Sequence, residues 1–100
     1  MQKVDSADSK GEFVYLKYVG HIAVMTGKIR EAISLEGVET ISDLISKLDE
    51  AYSGLKEVFM PPGGVFNSRT AIILRRKGQG SFSIINEEEQ IKDGDILTLW

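Results

Sequence analysis

The sequence contains no cysteine, and its 100 residues include only two prolines and a single histidine, His21. The lack of cysteine excludes a disulfide framework, a thiol nucleophile, an iron–sulfur cluster and every cysteine-based zinc site. A single histidine also excludes a histidine-rich metal site. We therefore expect no metal, no cofactor and no cysteine chemistry, and the composition fits a reducing compartment.

The chain also lacks an excess of positive charge and a long apolar run. Twelve Lys and Arg residues stand against 15 Asp and Glu residues, a formal charge of −3, whereas binding to a phosphate backbone needs a basic excess. The longest apolar runs, such as residues 71–74, span a few residues, whereas a membrane-spanning helix needs about 20. The N-terminus has no apolar core of the secretory type. We expect a cytoplasmic protein that binds neither nucleic acid nor membrane.

What is present is the composition of one soluble domain, with 42% hydrophobic and 27% charged residues. The polar residues 1–11 predict a flexible N-terminal tail, and residues 12–100 are expected to form a single domain. Strand patterns occur at residues 12–19, 31–36, 71–76, 81–85 and 96–100.

Between the second and third strands the hydrophobic period changes to three and four residues, which predicts an amphipathic helix. Thr40 with Asp43 forms a variant of the capping box at its start, and Ser53–Gly54 marks its end. Residues 20–28 are left open between a strand extension and a connection. Residues 55–59 are assigned to a connection, and the run 61–64 predicts a loop.

The element order predicts an α+β fold in which a small mixed sheet packs on one main helix. Two hairpins are expected, one before the helix and one after it. In the first strand, Lys17 marks the solvent-facing row, so Val14, Leu16 and Tyr18 are expected to face the core.

This order, together with several segments, resembles the MoaD/ThiS family of ubiquitin-like (β-grasp) sulfur-carrier proteins. Residues 26–31 are similar to the family's connection after the first strand, and residues 38–45 to its helix start. Residues 52–56 resemble the helix end, and residues 91–97 the turn before the last strand. The resemblance covers roughly residues 12–100.

The resemblance implies a carrier protein, or the small subunit of a synthase complex. No constellation of residues in the sequence supports enzymatic chemistry of its own. In the family, an E1-like activating enzyme adenylylates a C-terminal Gly-Gly carboxylate, which becomes a sulfur-donating thiocarboxylate. For the MoaD branch, it implies a role in molybdopterin or tungstopterin biosynthesis with the large subunit of molybdopterin synthase as a partner. This sequence ends at Trp100 without those glycines, and its Gly63–Gly64 pair is internal. We therefore expect carrier chemistry only in a chain that continues beyond Trp100.

The last strand also suggests a surface for partner proteins. If Leu97 and Leu99 face the core, then Ile96, Thr98 and Trp100 lie on the other face of the sheet, which one helix cannot cover. An exposed apolar row is typical of a partner interface. The alternative is that Trp100 folds over the edge of the core or is covered by aromatic residues of the first strand.

Two further hypotheses therefore stand beside the sulfur carrier. One is a ubiquitin-like interaction module that binds through the outer sheet face without thiocarboxylate chemistry. The other is a carrier-like protein used for protein modification, which needs the same C-terminal tail.

The charged clusters are interpreted as solvated surface. Residues 75–80 are assigned to a basic hairpin tip, with anion binding as the alternative. The carboxylates at 87–89, with Asp93 and Asp95, are assigned to a solvated loop, with binding of a divalent ion or a basic partner as the alternative. His21 stands apart from any acid or nucleophile, so no catalytic role is expected for it.

Overall fold

The computed structural model describes residues 11–60, 70–84 and 86–100. The predicted loop at residues 61–64 and the predicted tail, apart from Gly11, lie outside the described residues. The described strands are β1 (Phe13–Tyr18), β2 (Arg30–Ser34), β3 (Ile72–Arg76), β4 (Gly80–Ser83) and β5 (Ile96–Leu99). The described helices are α1 (His21–Thr26), α2 (Ile41–Ala51) and α3 (Leu55–Phe59).

The strands form one five-stranded mixed sheet in the order β2-β1-β5-β3-β4. β1 and β2 pair antiparallel, with Val14 opposite Ile33. β3 and β4 also pair antiparallel, with Leu74 opposite Phe82. β5 lies between the two hairpins, parallel to β1 and antiparallel to β3. The predicted α+β class, both hairpins and the mixed sheet are confirmed.

The hydrophobic core lies between one face of the sheet and the helices. The predicted inward row of β1, Val14, Leu16 and Tyr18, is buried. Full burial of each such side chain stabilises the fold by about 2 kcal/mol relative to exposure. From the other elements, the core takes the buried residues Leu97 and Leu99 of β5, and Ile41, Leu44, Ile45 and Leu48 of α2.

α2 begins with the capping box that the sequence predicts. The Thr40 hydroxyl accepts a hydrogen bond from the Asp43 N–H at 3.2 Å. The Asp43 carboxylate accepts from the backbone N–H groups of Glu39 (3.0 Å) and Thr40 (3.2 Å). These backbone bonds favour the ionised form and lower the pKa of Asp43. The helix ends at Ala51, short of the predicted end at Ser53–Gly54.

The unassigned segment after β1 is the short helix α1, neither a strand extension nor an irregular connection. Ile22, Val24 and Thr26 alternate in sequence as they would in a strand. Ile22 and Thr26 are nevertheless both buried, whereas Val24 is 79% exposed, which is the pattern of a helix turn. Gly20 precedes the helix with φ 59° and ψ −126°, a conformation that glycine adopts without a steric penalty.

The segment assigned to a connection after α2 is also a helix, α3. Leu55 and Phe59 lie four residues apart and are both buried. Gly54, predicted to end α2, instead has φ 96° at the start of α3. With only five residues, α3 depends on tertiary packing, because so short a segment has little helical stability of its own.

Asp95 is buried, with 1% of its surface exposed. Its carboxylate accepts from Arg76 Nε at 3.0 Å, from Arg76 Nη2 at 2.8 Å and from the Lys92 N–H at 2.8 Å. The pairing with Asp95 raises the pKa of Arg76. The assignments of Asp95 to a solvated loop and of Arg76 to a solvated hairpin tip were wrong. The turn before β5 directs the carboxylate inward, and a buried charge needs a partner.

A second polar cluster forms around Glu31 of β2. Its carboxylate accepts from the hydroxyls of Tyr18 (2.8 Å) and Tyr52 (2.7 Å) and from Lys28 Nζ (3.0 Å). Burial by itself would raise the pKa of Glu31, but these three hydrogen bonds together outweigh burial and lower it. Burial, followed by the bond to Glu31, raises the pKa of Tyr18. The cluster connects β1, β2 and the end of α2.

We expect Asp95→Ala to lower the free energy of unfolding by about 3 kcal/mol, because it leaves the guanidinium of Arg76 without its partner. Urea denaturation at neutral pH measures the loss. Glu88→Ala, at an exposed carboxylate, is the matched control and should change stability by less than about 0.5 kcal/mol. Equal losses in the two variants would contradict the structural role of Asp95.

Glu31 predicts a pH dependence of stability. Its folded-state pKa is lowered from 4.5, so its contribution is fully present above that value and is lost as the pH falls through the folded-state pKa. The stability difference between the native protein and Glu31→Gln should therefore shrink as the pH is lowered from about 7 to about 3. Urea titrations along this range test it, and a constant difference would rule the effect out.

Candidate functional site

The face of the sheet turned away from α2 is the candidate functional site. Residues directly opposite each other on paired strands share a face of the sheet. Tyr15 of β1 is aligned with Ala32 on one side and with Ile96 on the other, and Ile96 is aligned with Arg75. Because Arg75 is aligned with Ser81 of β4, this row runs across all five described strands and mixes apolar groups with one cation.

The next row lies nearer the end of β1. Lys17 is aligned with Arg30 of β2 and with Thr98 of β5, and Thr98 is aligned with Ile73 of β3. Trp100 continues the alternation of Ile96 and Thr98 just past the end of β5. We call this surface the outer face; its residues are Tyr15, Lys17, Arg30, Ala32, Ile73, Arg75, Ile96, Thr98 and Trp100.

The structure places all three residues of the predicted partner interface on the outer face. Ile96 and Thr98 are half-buried, and Trp100 is 54% exposed. Leu97 and Leu99, which alternate with them, are completely buried. Trp100 pairs through its backbone with Ala71, accepting from the Ala71 N–H at 2.6 Å and donating to the Ala71 oxygen at 3.0 Å. That these residues bind a partner remains a prediction.

A shallow open depression of about 480 Å³ lies on the outer face along β1 and β2. Tyr15, Ala32 and Ile96 contribute apolar surface to its lining, and Lys17 and Arg30 contribute charge. An open depression of this kind suits the side chains of another protein better than an enclosed small molecule, because ligand pockets bury most of their ligand.

The outer face carries cations and no carboxylate. Glu31 borders the depression, but its carboxylate is held by the hydroxyls of Tyr18 and Tyr52. The whole stretch 13–30 contains neither Asp nor Glu, although acidic residues outnumber basic ones in the chain. The outer face is therefore locally positive on a protein of negative net charge.

Many of the carboxylates lie at the other end of the sheet, where β1 and β5 begin. Backbone hydrogen bonds connect the segments at this end: the Leu35 N–H donates to the Glu12 carbonyl oxygen, and the Ile41 N–H donates to the Glu89 carbonyl oxygen. The acidic residues of this end are Glu12, Glu36, Glu39, Asp43, Glu87, Glu88, Glu89 and Asp93. Among the described residues, no group of three or more His, Asp or Glu is arranged to hold a metal ion.

Sequence reasoning missed two features of this surface. The first is the facing pair Lys17 and Arg30, which only the hairpin register reveals. The second is the exposure of three apolar residues in and beside α1: Val19, Val24 and Ile29. Of these, Val19 adjoins the end of β5, since its N–H donates to the Leu99 oxygen at 3.0 Å. The exposure of Val24 could be predicted only by recognising α1 as a helix. None of the helices in the described part of the chain has the length and apolar character to cross a membrane.

No family model matches the sequence, and no curated protein matches it. Solved structures do match. Small archaeal modifier protein 1 from Haloferax volcanii has a TM-score of 0.67 and 17% identity, covering 88% of this chain and 92% of that one. Its counterpart from Methanosarcina acetivorans has a TM-score of 0.64 and 19% identity, covering 89% and 91%. A putative molybdopterin converting factor, subunit 1, from Pyrococcus furiosus has a TM-score of 0.64 and 24% identity, covering 88% and 94%.

The chain has the ubiquitin-like β-grasp fold. The fold expected from the resemblance to sulfur carriers is therefore confirmed. At these identities the likeness establishes the fold, and a function has to be argued from the surface that the fold presents.

The exposure of Trp100 predicts how its removal affects stability. We expect Trp100→Ala to lower the free energy of unfolding by less than about 1 kcal/mol, whereas Leu99→Ala, at the buried neighbour, should cost about 3 kcal/mol. Thermal and urea unfolding of the two variants measure the difference. A loss at Trp100 as large as that at Leu99 would assign Trp100 to the core instead of the outer face.

Proposed function

We propose that this protein is a small ubiquitin-like carrier of the sulfur-carrier and modifier type. It has no catalytic site of its own and presents its C-terminal end to partner enzymes. The observation that carries the proposal is the position of β5. It is the central strand, it ends at Leu99, and Trp100 directly after it is 54% exposed beside an uncovered face.

A central strand holds the start of a reactive C-terminal tail in place, because it is hydrogen-bonded on both sides. β5 is hydrogen-bonded to β1 on one side and to β3 on the other, and Trp100 is paired with Ala71, so the position from which a tail would start is fixed. A tail that starts from a fixed point can be guided into the narrow site of another enzyme at a smaller entropic cost. Central placement thus suits a protein whose terminal carboxylate is the reacting group.

The partners follow from this role. An E1-like activating enzyme would adenylylate the terminal carboxylate, and a sulfur nucleophile would then displace the nucleotide to leave a thiocarboxylate. In a pterin pathway, the large subunit of molybdopterin synthase would receive the sulfur. The two kinds of structural neighbour, a modifier protein and a molybdopterin converting factor subunit, support this class of function. We place the protein in the cytoplasm, in keeping with its lack of cysteine.

We propose that Ile96, Thr98 and Trp100 form the contact with these partners. Trp100 offers the large aromatic surface that often anchors protein interfaces. It also directly follows the central strand β5. A partner that binds here would hold the body of the carrier next to the end that reacts.

The exposure of Trp100 also favours a second candidate function. A ubiquitin-like interaction module would bind a partner through the same outer face and would never form a thiocarboxylate. The two functions share the contact surface, so they differ only in the chemistry at the C-terminus.

An intact-mass experiment separates the two. Protein made from the complete reading frame is incubated with the E1-like activating enzyme of the same organism, ATP and a sulfide donor. We expect a mass gain equal to the replacement of one oxygen by sulfur. Omission of ATP, or amidation of the natural C-terminal carboxylate, should abolish the gain, because the step adenylylates the free terminal carboxylate.

The outcome that contradicts the carrier is an unchanged mass under conditions in which the enzyme activates a carrier known to be its substrate. If the protein still binds the enzyme, and Trp100→Ala weakens that binding, the result supports the interaction module instead.

A further inference from the structure

We propose that Lys17 and Arg30 form a binding site for a carboxylate side chain of the partner protein, and that the adjoining depression receives the apolar residues next to that carboxylate. The proposal rests on the proposed function, since the partner tested is the activating enzyme. It adds to that function a chemical requirement: the enzyme surface that docks on the outer face is acidic around an apolar centre.

The first argument is the register of β1 and β2. Lys17 and Arg30 are directly opposite each other, and both side chains are exposed. Like charges directly opposite each other destabilise a sheet. Within the described residues, no carboxylate pairs with either cation. A carboxylate arriving from another protein would relieve the repulsion and form charge-assisted hydrogen bonds to both.

The second argument is the contrast with the cations that serve the fold. Arg76 is paired with Asp95 at 2.8 Å, and Lys28 with Glu31 at 3.0 Å. Each of these two cations is therefore paired with a carboxylate of the same chain. At Lys17 and Arg30, it keeps two cations together within a stretch, residues 13–30, that has no acid.

The third argument is the surface beside the pair. The same depression that Lys17 and Arg30 border is also lined by Tyr15, Ala32 and Ile96. The planar guanidinium can hold a carboxylate through two parallel hydrogen bonds. The apolar lining accepts an aliphatic side chain from the residue next to that carboxylate, which gives the site a preference for protein over a free anion.

A nucleic acid is the less favoured occupant. The protein carries a net charge of −3, and a long phosphate backbone would be repelled by the carboxylates at the end of the sheet where β1 and β5 begin. A protein surface can place a single carboxylate between Lys17 and Arg30 without approaching that acidic end.

The test uses charge reversal in the activation reaction. Lys17→Glu and Arg30→Glu each convert the facing pair from like to opposite charges. Lys56→Glu, at an exposed residue of α3, makes the same change in net charge elsewhere. The rate of ATP-dependent pyrophosphate exchange, measured against carrier concentration, gives KM and kcat for each protein.

We expect Lys17→Glu and Arg30→Glu each to raise KM about tenfold or more with kcat nearly unchanged, while Lys56→Glu stays close to the native protein. The effect should weaken at high salt. Both outer-face variants should unfold at the same or a higher urea concentration than the native protein, because the repulsion is gone. Loss of binding together with undiminished stability is a result that misfolding cannot produce.

Failure of each proposal gives a different result. If the native protein is not activated at all, the proposed function fails and this inference fails with it. If the native protein is activated and the two variants keep its KM, the function stands and the carboxylate site is overturned. An equal rise in KM for Lys56→Glu would overturn it as well, because net charge alone would then explain the effect.

A competition experiment identifies the anion. An acetylated, amidated tetrapeptide of alternating glutamate and leucine should inhibit activation of the native protein and inhibit Arg30→Glu far less. Inorganic phosphate or duplex DNA at the same ionic strength should have little effect. Stronger inhibition by phosphate or DNA than by the peptide would overturn the assignment to a protein carboxylate.

Discussion

The fold depends on Asp95, the buried carboxylate just before the central strand β5. Its side chain holds the guanidinium of Arg76 on β3, and its backbone oxygen accepts from the Tyr15 N–H of β1 at 2.9 Å. One residue thus ties β5 to both hairpins. The guanidinium and the Lys92 N–H satisfy the carboxylate, so the charge is buried without the heavy cost of an unpaired ion.

With β5 at its centre, the sheet has one face that packs against the helices and one face that the helices leave uncovered. The inner face takes the apolar rows of β1 and β5 into one core with α2. The outer face keeps Tyr15 and Trp100 exposed and presents Lys17 and Arg30 without acidic partners in the described structure. The packing that stabilises the fold therefore lies on one side of the sheet, and the helices leave the other side uncovered.

The spacing of hydrophobic and capping residues predicted those features that depend on residues close together in the sequence. The alternation around Lys17 identified the buried row of β1, and the Thr40–Asp43 spacing identified the start of α2. α1 was not recognised, because its β-branched residues alternate as in a strand and its helical state depends on burying Ile22 and Thr26. Ile96, Thr98 and Trp100, the proposed interface residues, could be placed on one face from alternation alone, since side chains in a strand alternate with period two.

By itself, the sequence determined which segments are strands and where the main helix begins. Only the tertiary structure decided that β5 lies parallel to β1, that Asp95 meets Arg76, and that Lys17 faces Arg30. The reason is physical: secondary structure follows from the pattern of neighbouring residues, whereas strand order and register follow from contacts between distant segments that compete as the whole chain packs.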